Sequence, residues 1–100
     1  MSKKKLTMVV PAYNEEEALP IFYDEAHRVE AEIPGVEIEY LFIDDGSSDK
    51  TLEVLRSLHK KDARVRYVSF SRNFGKEAAI YAGLQNATGD YVAILDADLQ

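Results

Sequence analysis

Four short apolar runs alternate along the chain with three segments in which apolar residues recur at every third or fourth position. The runs are rich in β-branched and aromatic residues, which predicts strands over residues 6–10, 36–43, 65–70 and 91–95. The intervening segments predict amphipathic helices. Because the connections are short, this alternation predicts a parallel sheet with right-handed crossovers and helices on both faces.

The three helices have distinct apolar patterns. The second helix follows a possible cap at Ser48 or Asp49, and the third, over residues 76–87, is rich in small residues that allow close approach to a sheet. The expected inward residues of the first two helices are Ala18, Phe22, Ala26, Val29 and Ile33, then Leu52, Leu55 and Leu58. Pro34 and Gly35 end the first helix.

Each predicted strand is followed by a polar loop. The loops cover residues 11–15, 44–49, 71–76 and 96–100, and Pro11 is expected to end the first strand. In open parallel sheets ligands bind beyond the carboxyl ends of the strands, near the point where the strand order reverses. The four loops are therefore predicted to converge on one rim.

The last loop carries the most specific chemistry. Its strand is predicted to be buried, so Asp96 and Asp98 are expected at the strand's mouth. With the amide oxygen of Gln100 they form an all-oxygen set suited to Mg²⁺ or Mn²⁺. A simple turn or helix cap is the alternative interpretation of two such acids.

Composition and charge limit the classes of partner. The formal net charge of −6 opposes binding to nucleic acid, although a divalent cation could still recruit a small phosphorylated ligand. The sequence has no cysteine and no apolar stretch long enough to span a membrane, and a cytoplasmic location is expected.

The predicted rim suits a nucleoside diphosphate. Acidic side chains could accept hydrogen bonds from base and ribose, Arg72 or Lys76 could lie beside the phosphates, and Tyr13 could stack on a base or pack as an ordinary core aromatic. The first loop lacks the glycine pattern of Rossmann dinucleotide sites, and no P-loop pattern is present.

Four motifs in order carry a family resemblance. They are Val10-Pro-Ala-Tyr-Asn-Glu15, Ile43-Asp-Asp-Gly-Ser-Ser-Asp49, Ser71-Arg-Asn-Phe-Gly-Lys-Glu77 and Ala87-Thr-Gly-Asp-Tyr-Val-Ala-Ile-Leu-Asp-Ala-Asp-Leu-Gln100. Together they resemble the nucleotide-binding half of family-2 inverting glycosyltransferases of the polyprenyl-phosphate type, such as dolichol-phosphate mannosyltransferases and bactoprenol glucosyltransferases. The resemblance implies a Rossmann-like, three-layer GT-A fold with strand order 3-2-1-4.

The resemblance also implies roles for individual residues. The expected substrate-binding residues are Pro11, Ala12, Tyr13, Glu15, Ile43, Asp44, Asp45, Lys76, Asp96 and Ala97. Ile43 and Asp45 would contact the base, with Asp44 beside them, and Lys76 would approach the nucleotide. Asp96 and Asp98 would be the catalytic acids of the Asp-x-Asp motif, and Asp98 and Gln100 the metal ligands.

Residues 1–100 are accordingly expected to be a single, incomplete domain: the half that binds a UDP- or GDP-linked sugar. The parent enzyme would transfer that sugar to a polyprenyl phosphate at the cytoplasmic face of a membrane. Alone, this half is expected to bind nucleotide weakly and to transfer nothing. Its apolar fourth strand would be a sheet edge, which predicts a homo-oligomer formed through that edge.

Other functions remain open from the sequence. One is a truncated or engineered fragment that only folds and self-associates. Another is a haloacid-dehalogenase-like phosphatase with Asp96 as nucleophile and Asp98 as acid, although in that family the motif follows the first strand. A receiver domain has its acidic pair after the first strand, where this chain has Pro11 and Ala12.

Overall fold

The computed structural model describes residues 4–97, which form four strands and three helices in strict alternation. In chain order they are β1 (Lys4–Ala12), α1 (Ala18–Ala31), β2 (Val36–Asp44), α2 (Thr51–Lys61), β3 (Val65–Ser69), α3 (Lys76–Asn86) and β4 (Tyr91–Ile94). The predicted order is confirmed, and most predicted boundaries differ from these by one or two residues.

The four strands form one parallel sheet in the order β3-β2-β1-β4. The helices lie on both faces, which confirms the predicted three-layer α/β fold. On one face, α1 and α2 pack on side chains that include Tyr40 and Phe42. On the other, Ala79 of α3 packs with Val9, Leu41 and Ile43. The strand order reverses between β1 and β4, so the loops that follow these two strands lie next to each other.

The small residues of α3 bring this helix close to the sheet, as the sequence predicts. A Cβ atom added to Gly83 would lie 2.3 Å from Cγ1 of Val9, a distance at which one of the two groups must move. Glycine at this position therefore sets the spacing between α3 and β1.

Pro11 does not end β1, in contrast to the prediction. The strand continues to Ala12, and Pro11 is opposite Ile43 of β2. Alternate residues of a parallel strand bond to opposite neighbours: Ala12 O accepts from Asp45 N on the β2 side, and Val9 O accepts from Leu95 N on the β4 side. Pro11 therefore faces β4, where its missing N–H ends the ladder on that side alone.

The inward face of α1 differs in part from the predicted stripe. Phe22 is buried, but Leu19 and Tyr23 share the core with it, and Ile33 lies beyond the end of the helix with 44% of its surface exposed. The chain turns after Ala31, so the helical period no longer applies at residue 33.

The expectation that β4 is buried is wrong. Tyr91, Val92 and Ile94 are 60%, 41% and 45% exposed, because β4 is an edge strand with β1 on one side and no other described strand on the other. The edge position itself agrees with the predicted strand order. Of the helices between residues 4 and 97, none is long and apolar enough to cross a membrane.

Candidate functional site

A cleft opens at the carboxyl ends of β1 and β4, where the strand order reverses. Its walls come from all four sequence motifs, and it is lined by Pro11, Ala12, Tyr13, Glu15, Asp45, Lys76 and Asp96. The cleft holds about 190 Å³, less than the roughly 300–1,000 Å³ of most ligand pockets. The described residues would therefore enclose only part of a nucleotide.

The loop after β1 is fastened to the loop after β2 by Asn14. This residue has a positive φ of 53°, a conformation that asparagine tolerates better than most residues. Its Oδ1 accepts hydrogen bonds from the backbone N–H groups of Ser48 and Asp49 at 2.8 and 3.3 Å, and its own N–H donates to Ser47 Oγ. Asn14 thereby fixes the backbone on either side of itself, including Tyr13 in the cleft wall.

The loop after β1 is held a second time at its other end. The backbone N–H of Glu15 donates to Thr51 Oγ1 at 2.9 Å, and that of Glu16 to Asp49 Oδ2 at 3.3 Å. Burial alone would raise the pKa of Asp49, but hydrogen bonds from Thr51 and from the backbone of Glu16 lower it overall. The ionised form of Asp49 is thus the one that supports the loop.

Two neighbouring acids, Asp44 at the end of β2 and Asp45 directly after it, are buried and hydrogen-bonded within the protein. Asp44 accepts from the Ser47 backbone N–H at 3.1 Å and from Ser69 Oγ at 3.3 Å. Asp45 accepts from the backbone of the loop before α3, where Phe74 N lies 2.8 Å from Oδ1 and Gly75 N lies 3.1 Å from Oδ2. These two carboxylates hold the rim together.

The two charged groups nearest the mouth of the cleft form an ion pair. Lys76 Nζ, at the first position of α3, lies 2.9 Å from Asp96 Oδ1, which follows β4. Both side chains are largely exposed, at 61% and 59%, so the pair contributes little to stability. The pair brings a cation and a carboxylate together at the mouth of the cleft.

The structure brings together most, but not all, of the predicted site residues. Ile43 and Ala97 have buried side chains within the two cores, and Asp44 is buried below the rim, so none of the three lines the cleft. Asp98 and Gln100 lie outside the described residues. The predicted contact between Ile43 and a base would therefore have to use its backbone.

The chemistry of the described residues suits a divalent metal only in part. Asp96 offers an exposed carboxylate at the cleft, which is a donor that Mg²⁺ and Mn²⁺ accept. Within residues 4–97, however, no three histidine, cysteine or acidic side chains gather as they would around a metal ion. A complete ligand set would need the predicted contributions of Asp98 and Gln100.

A buried polar cluster at the opposite end of the sheet escaped the sequence analysis. Glu39 accepts hydrogen bonds from Thr7 Oγ1 at 2.7 Å, from Arg66 Nη1 at 2.8 Å and from Thr88 Oγ1 at 3.0 Å. Burial would raise the pKa of Glu39, but these bonds lower it to about 2. The cluster ties the segment between α3 and β4 to the sheet. Its sequence signal is weak, because Glu39 is one of two glutamates, with Glu37, that alternate with apolar residues at the start of the second strand.

A model of glycosyl transferase family 2 matches residues 7–100 of the chain. The chain belongs to this family. This family is one of transferases, as the four motifs predict, so the chain belongs neither to the haloacid-dehalogenase-like phosphatases nor to the receiver domains.

Relatives of the family-2 chain include enzymes named for lipid-linked substrates. It is 49% identical over 96 residues to a prophage bactoprenol glucosyl transferase homolog of Escherichia coli (strain K12), covering 96% of this chain and 31% of that protein. It is 41% identical over 98 residues to an undecaprenyl-phosphate 4-deoxy-4-formamido-L-arabinose transferase of Pectobacterium carotovorum subsp. carotovorum (strain PC1). This match covers 97% of this chain and 30% of that protein. The chain spans less than a third of the length of these relatives.

A solved structure supports the fold assignment. The mannosyltransferase PcManGT of Pyrobaculum calidifontis, in complex with GDP-Man and Mn²⁺, matches the family-2 chain with a TM-score of 0.81 and 26% sequence identity. The match covers 98% of this chain and 28% of that chain. The GT-A type of fold predicted from the motifs is thus confirmed.

Proposed function

We propose that the cleft binds the nucleoside diphosphate of a UDP- or GDP-linked sugar, as the donor site of a glycosyltransferase. The observation that carries the proposal is the convergence of four motif loops on one cleft at the switch point of the sheet. The family assignment and the GDP-Man in PcManGT support the same ligand class.

Individual residues of the cleft would bind different parts of the donor. Tyr13 is 49% exposed at the cleft wall and would stack against the base or ribose, as exposed aromatic side chains do. Glu15 would accept hydrogen bonds from the ribose hydroxyls. Lys76 would donate to the diphosphate, a charge-assisted hydrogen bond that outweighs its exposed pairing with Asp96.

Asp96, Asp98 and Gln100 are the residues that would hold Mg²⁺ or Mn²⁺, since all three offer oxygen ligands. The bound cation would supply positive charge opposite the departing diphosphate. On donor binding Lys76 would exchange its bond to Asp96 for one to phosphate, which leaves the Asp96 carboxylate available at the cleft.

The parent enzyme would use a polyprenyl phosphate as acceptor, which the names of its bactoprenol and undecaprenyl-phosphate relatives support. A phosphate oxygen of the acceptor would bond to the anomeric carbon while the bond from that carbon to the nucleoside diphosphate breaks. Because a phosphate is already ionised near neutral pH, this step needs little help from a general base. Such an acceptor would place the parent enzyme at a membrane surface.

Titration of the 100-residue chain with UDP-glucose and GDP-mannose, with and without the diamagnetic cation Mg²⁺, tests the proposed donor site. We expect weak, saturable, metal-dependent shifts of the Tyr13 and Asp45 amide signals by NMR, and no sugar transfer to a polyprenyl phosphate. The Asp96→Asn variant is the matched comparison, and in it the metal-dependent part of these amide shifts should be smaller. Absence of any shift with both nucleotides would overturn the proposal and favour an idle fragment that only folds and associates.

We also propose that the 100-residue chain self-associates through β4. The supporting observation is an open sheet edge whose side chains Tyr91, Val92 and Ile94 are exposed and apolar. Two such edges can pair with each other about a two-fold axis, because each offers the same row of backbone donors and acceptors. Light scattering across a range of concentrations tests this, and a constant monomeric mass would contradict it.

A further inference from the structure

The Asp45 carboxylate is almost fully occupied by the loop that precedes α3. Its Oδ1 accepts from Phe74 N at 2.8 Å, and its Oδ2 accepts from Gly75 N at 3.1 Å and from Asn73 Nδ2 at 3.3 Å. Asn73 Nδ2 also donates to the backbone oxygen of Asp45 at 3.2 Å. A carboxylate has about four acceptor positions, so three of them already serve the protein itself.

These bonds determine how α3 begins. Gly75 precedes the helix with a φ of 103°, and Lys76 is the first helical residue. No side-chain cap is present at this end of α3, so the bonds to Asp45 on Phe74 and Gly75 fix the backbone that leads into it. The direction of Lys76 towards the cleft thus depends on the loop that Asp45 holds.

The neighbouring Gly46 keeps the two loops in contact. It has a φ of 68°, and a Cβ atom at this position would lie 2.1 Å from the carbonyl carbon of Arg72. The backbones after β2 and after β3 therefore meet without a side chain between them. This close approach is what allows the short Asp45 side chain to reach Phe74 N and Gly75 N.

We propose that Asp45 is a positioning residue, which holds the loop over residues 73–75 and thereby directs Lys76 across the cleft to Asp96. This inference rests on the proposed donor site, in which Lys76 binds the diphosphate. It differs from the base contact expected from the sequence, because the carboxylate acts on the ligand through the loop and Lys76. Asp45 remains in the cleft wall, but its hydrogen bonds are directed into the protein.

The first test needs no ligand. In the 100-residue chain labelled with ¹³C and ¹⁵N, Asp45→Asn should move the Phe74 and Gly75 amide signals upfield and speed their hydrogen exchange about tenfold or more, since a charged acceptor is lost. The Lys76 side-chain Cε–Hε signals should change as they do in Asp96→Asn, which removes the partner directly. The double variant Asp45→Asn/Asp96→Asn should then show no further change at Lys76.

Asp44→Asn is the matched control, because Asp44 is an equally buried neighbour that bonds to Ser47 and Ser69 rather than to residues 73–75. It should leave the Phe74, Gly75 and Lys76 signals in place. If Asp45→Asn alters the two amides but not Lys76, Asp45 supports its loop only, and the positioning role is wrong. Unchanged Phe74 and Gly75 amides would overturn the proposal at its first step.

A double-mutant cycle with ligand separates positioning from direct contact. Calorimetry with UDP or GDP and Mn²⁺ should show about a tenfold loss of affinity for Asp45→Asn in the wild-type background and little further loss in the Lys76→Met background. Full additivity of the two losses would show that Asp45 contacts the nucleotide itself and overturn the inference. If the wild-type chain binds neither nucleotide, the donor site fails, while the ligand-free measurements still decide what Asp45 does to Lys76.

Discussion

Lys76 lies across the cleft from Asp96, with its Nζ 2.9 Å from the carboxylate oxygen Oδ1. The two residues are 20 positions apart and belong to different motifs, with Lys76 at the start of α3 and Asp96 after β4. Their meeting is the clearest evidence that the motifs form one site. An exposed pair of this kind exchanges partners at little cost, so a diphosphate can take the place of Asp96.

Replacement of Lys76 by Met should lower nucleotide affinity about tenfold and leave stability nearly unchanged, because a charged donor to phosphate is lost while an exposed ion pair costs little. Calorimetric titration and urea unfolding measure the two effects. Lys60→Met, at an exposed position in α2, is the control for the loss of one positive charge. Equal losses of affinity in both variants would point to general electrostatics and contradict a specific contact.

Replacement of Asn14 should destabilise the rim. Asn14→Ala loses the bonds to Ser48 and Asp49 and places an ordinary residue at a φ of 53°, so we expect a loss of about 2–3 kcal/mol in the free energy of unfolding. Asn14→Gly loses the same bonds without the backbone strain and should cost about 1–2 kcal/mol. Urea unfolding of both variants tests the order, and a less stable glycine variant would contradict it.

Glu39 should make the protein sensitive to acid. Its pKa is lowered from 4.5 to about 2, so its stabilisation is complete above about pH 4.5 and is lost as the pH falls towards 2. The shift corresponds to about 3 kcal/mol. Asp62 should add to this loss of stability. Burial would raise its pKa, but hydrogen bonds from Arg64 and Tyr23 lower the pKa to about 2.

The Glu39→Gln variant isolates this contribution. It should be less stable than the wild type at pH 7. Between about pH 4.5 and 2 its stability should fall less steeply, and the remaining fall should come from protonation of Asp62. Urea unfolding at several pH values gives both quantities. Parallel pH profiles for the two proteins would mean that Glu39 does not carry the dependence.

Replacement of Gly83 by Ala should destabilise the packing of α3, although alanine favours helices. The new methyl group would meet Val9 Cγ1 at 2.3 Å, which should cost about 1–3 kcal/mol. The double variant Val9→Ala/Gly83→Ala should cost less than the sum of the single variants, because Val9→Ala makes room for the added group. Additive losses in thermal or urea unfolding would contradict the close approach.

A lysine on the edge strand should prevent self-association. Ile94→Lys places a charge on the edge strand, which opposes pairing with a second copy, and should shift the mass by light scattering to that of a monomer. Ile33→Lys is a matched control, since Ile33 is 44% exposed against 45% for Ile94 but lies outside β4. Monomeric behaviour of both variants would implicate a surface other than the edge.

The order of elements and the location of the cleft could be predicted because both follow from local patterns. Apolar periodicity distinguishes strands from helices, and a parallel sheet places all strand ends on one rim. The path of single residues could not be predicted so well. Ile33 fits the apolar stripe of α1, yet the helix ends at Ala31. Pro34 and Gly35 end the helix before the apolar pattern itself ends.

The roles of the acidic side chains were the least predictable part. From the sequence, Asp44, Asp45 and Glu39 differ little from other acids, because a carboxylate for a ligand and one for the protein's own backbone look the same. Only the fold shows that Thr7 and Thr88, 81 residues apart, both donate to Glu39. Asn14 was likewise hidden, since its partners come from the loop after the next strand.

The missing backbone N–H of Pro11 affects where a ligand can enter. A residue other than proline at this position would offer one more backbone N–H donor to the segment that follows β4. The two segments could then remain hydrogen-bonded as far as Tyr13. Pro11 cannot form this last hydrogen bond, because its ring replaces the backbone N–H. The cleft therefore opens at a position where Pro11 removes one backbone hydrogen bond between β1 and the segment that follows β4.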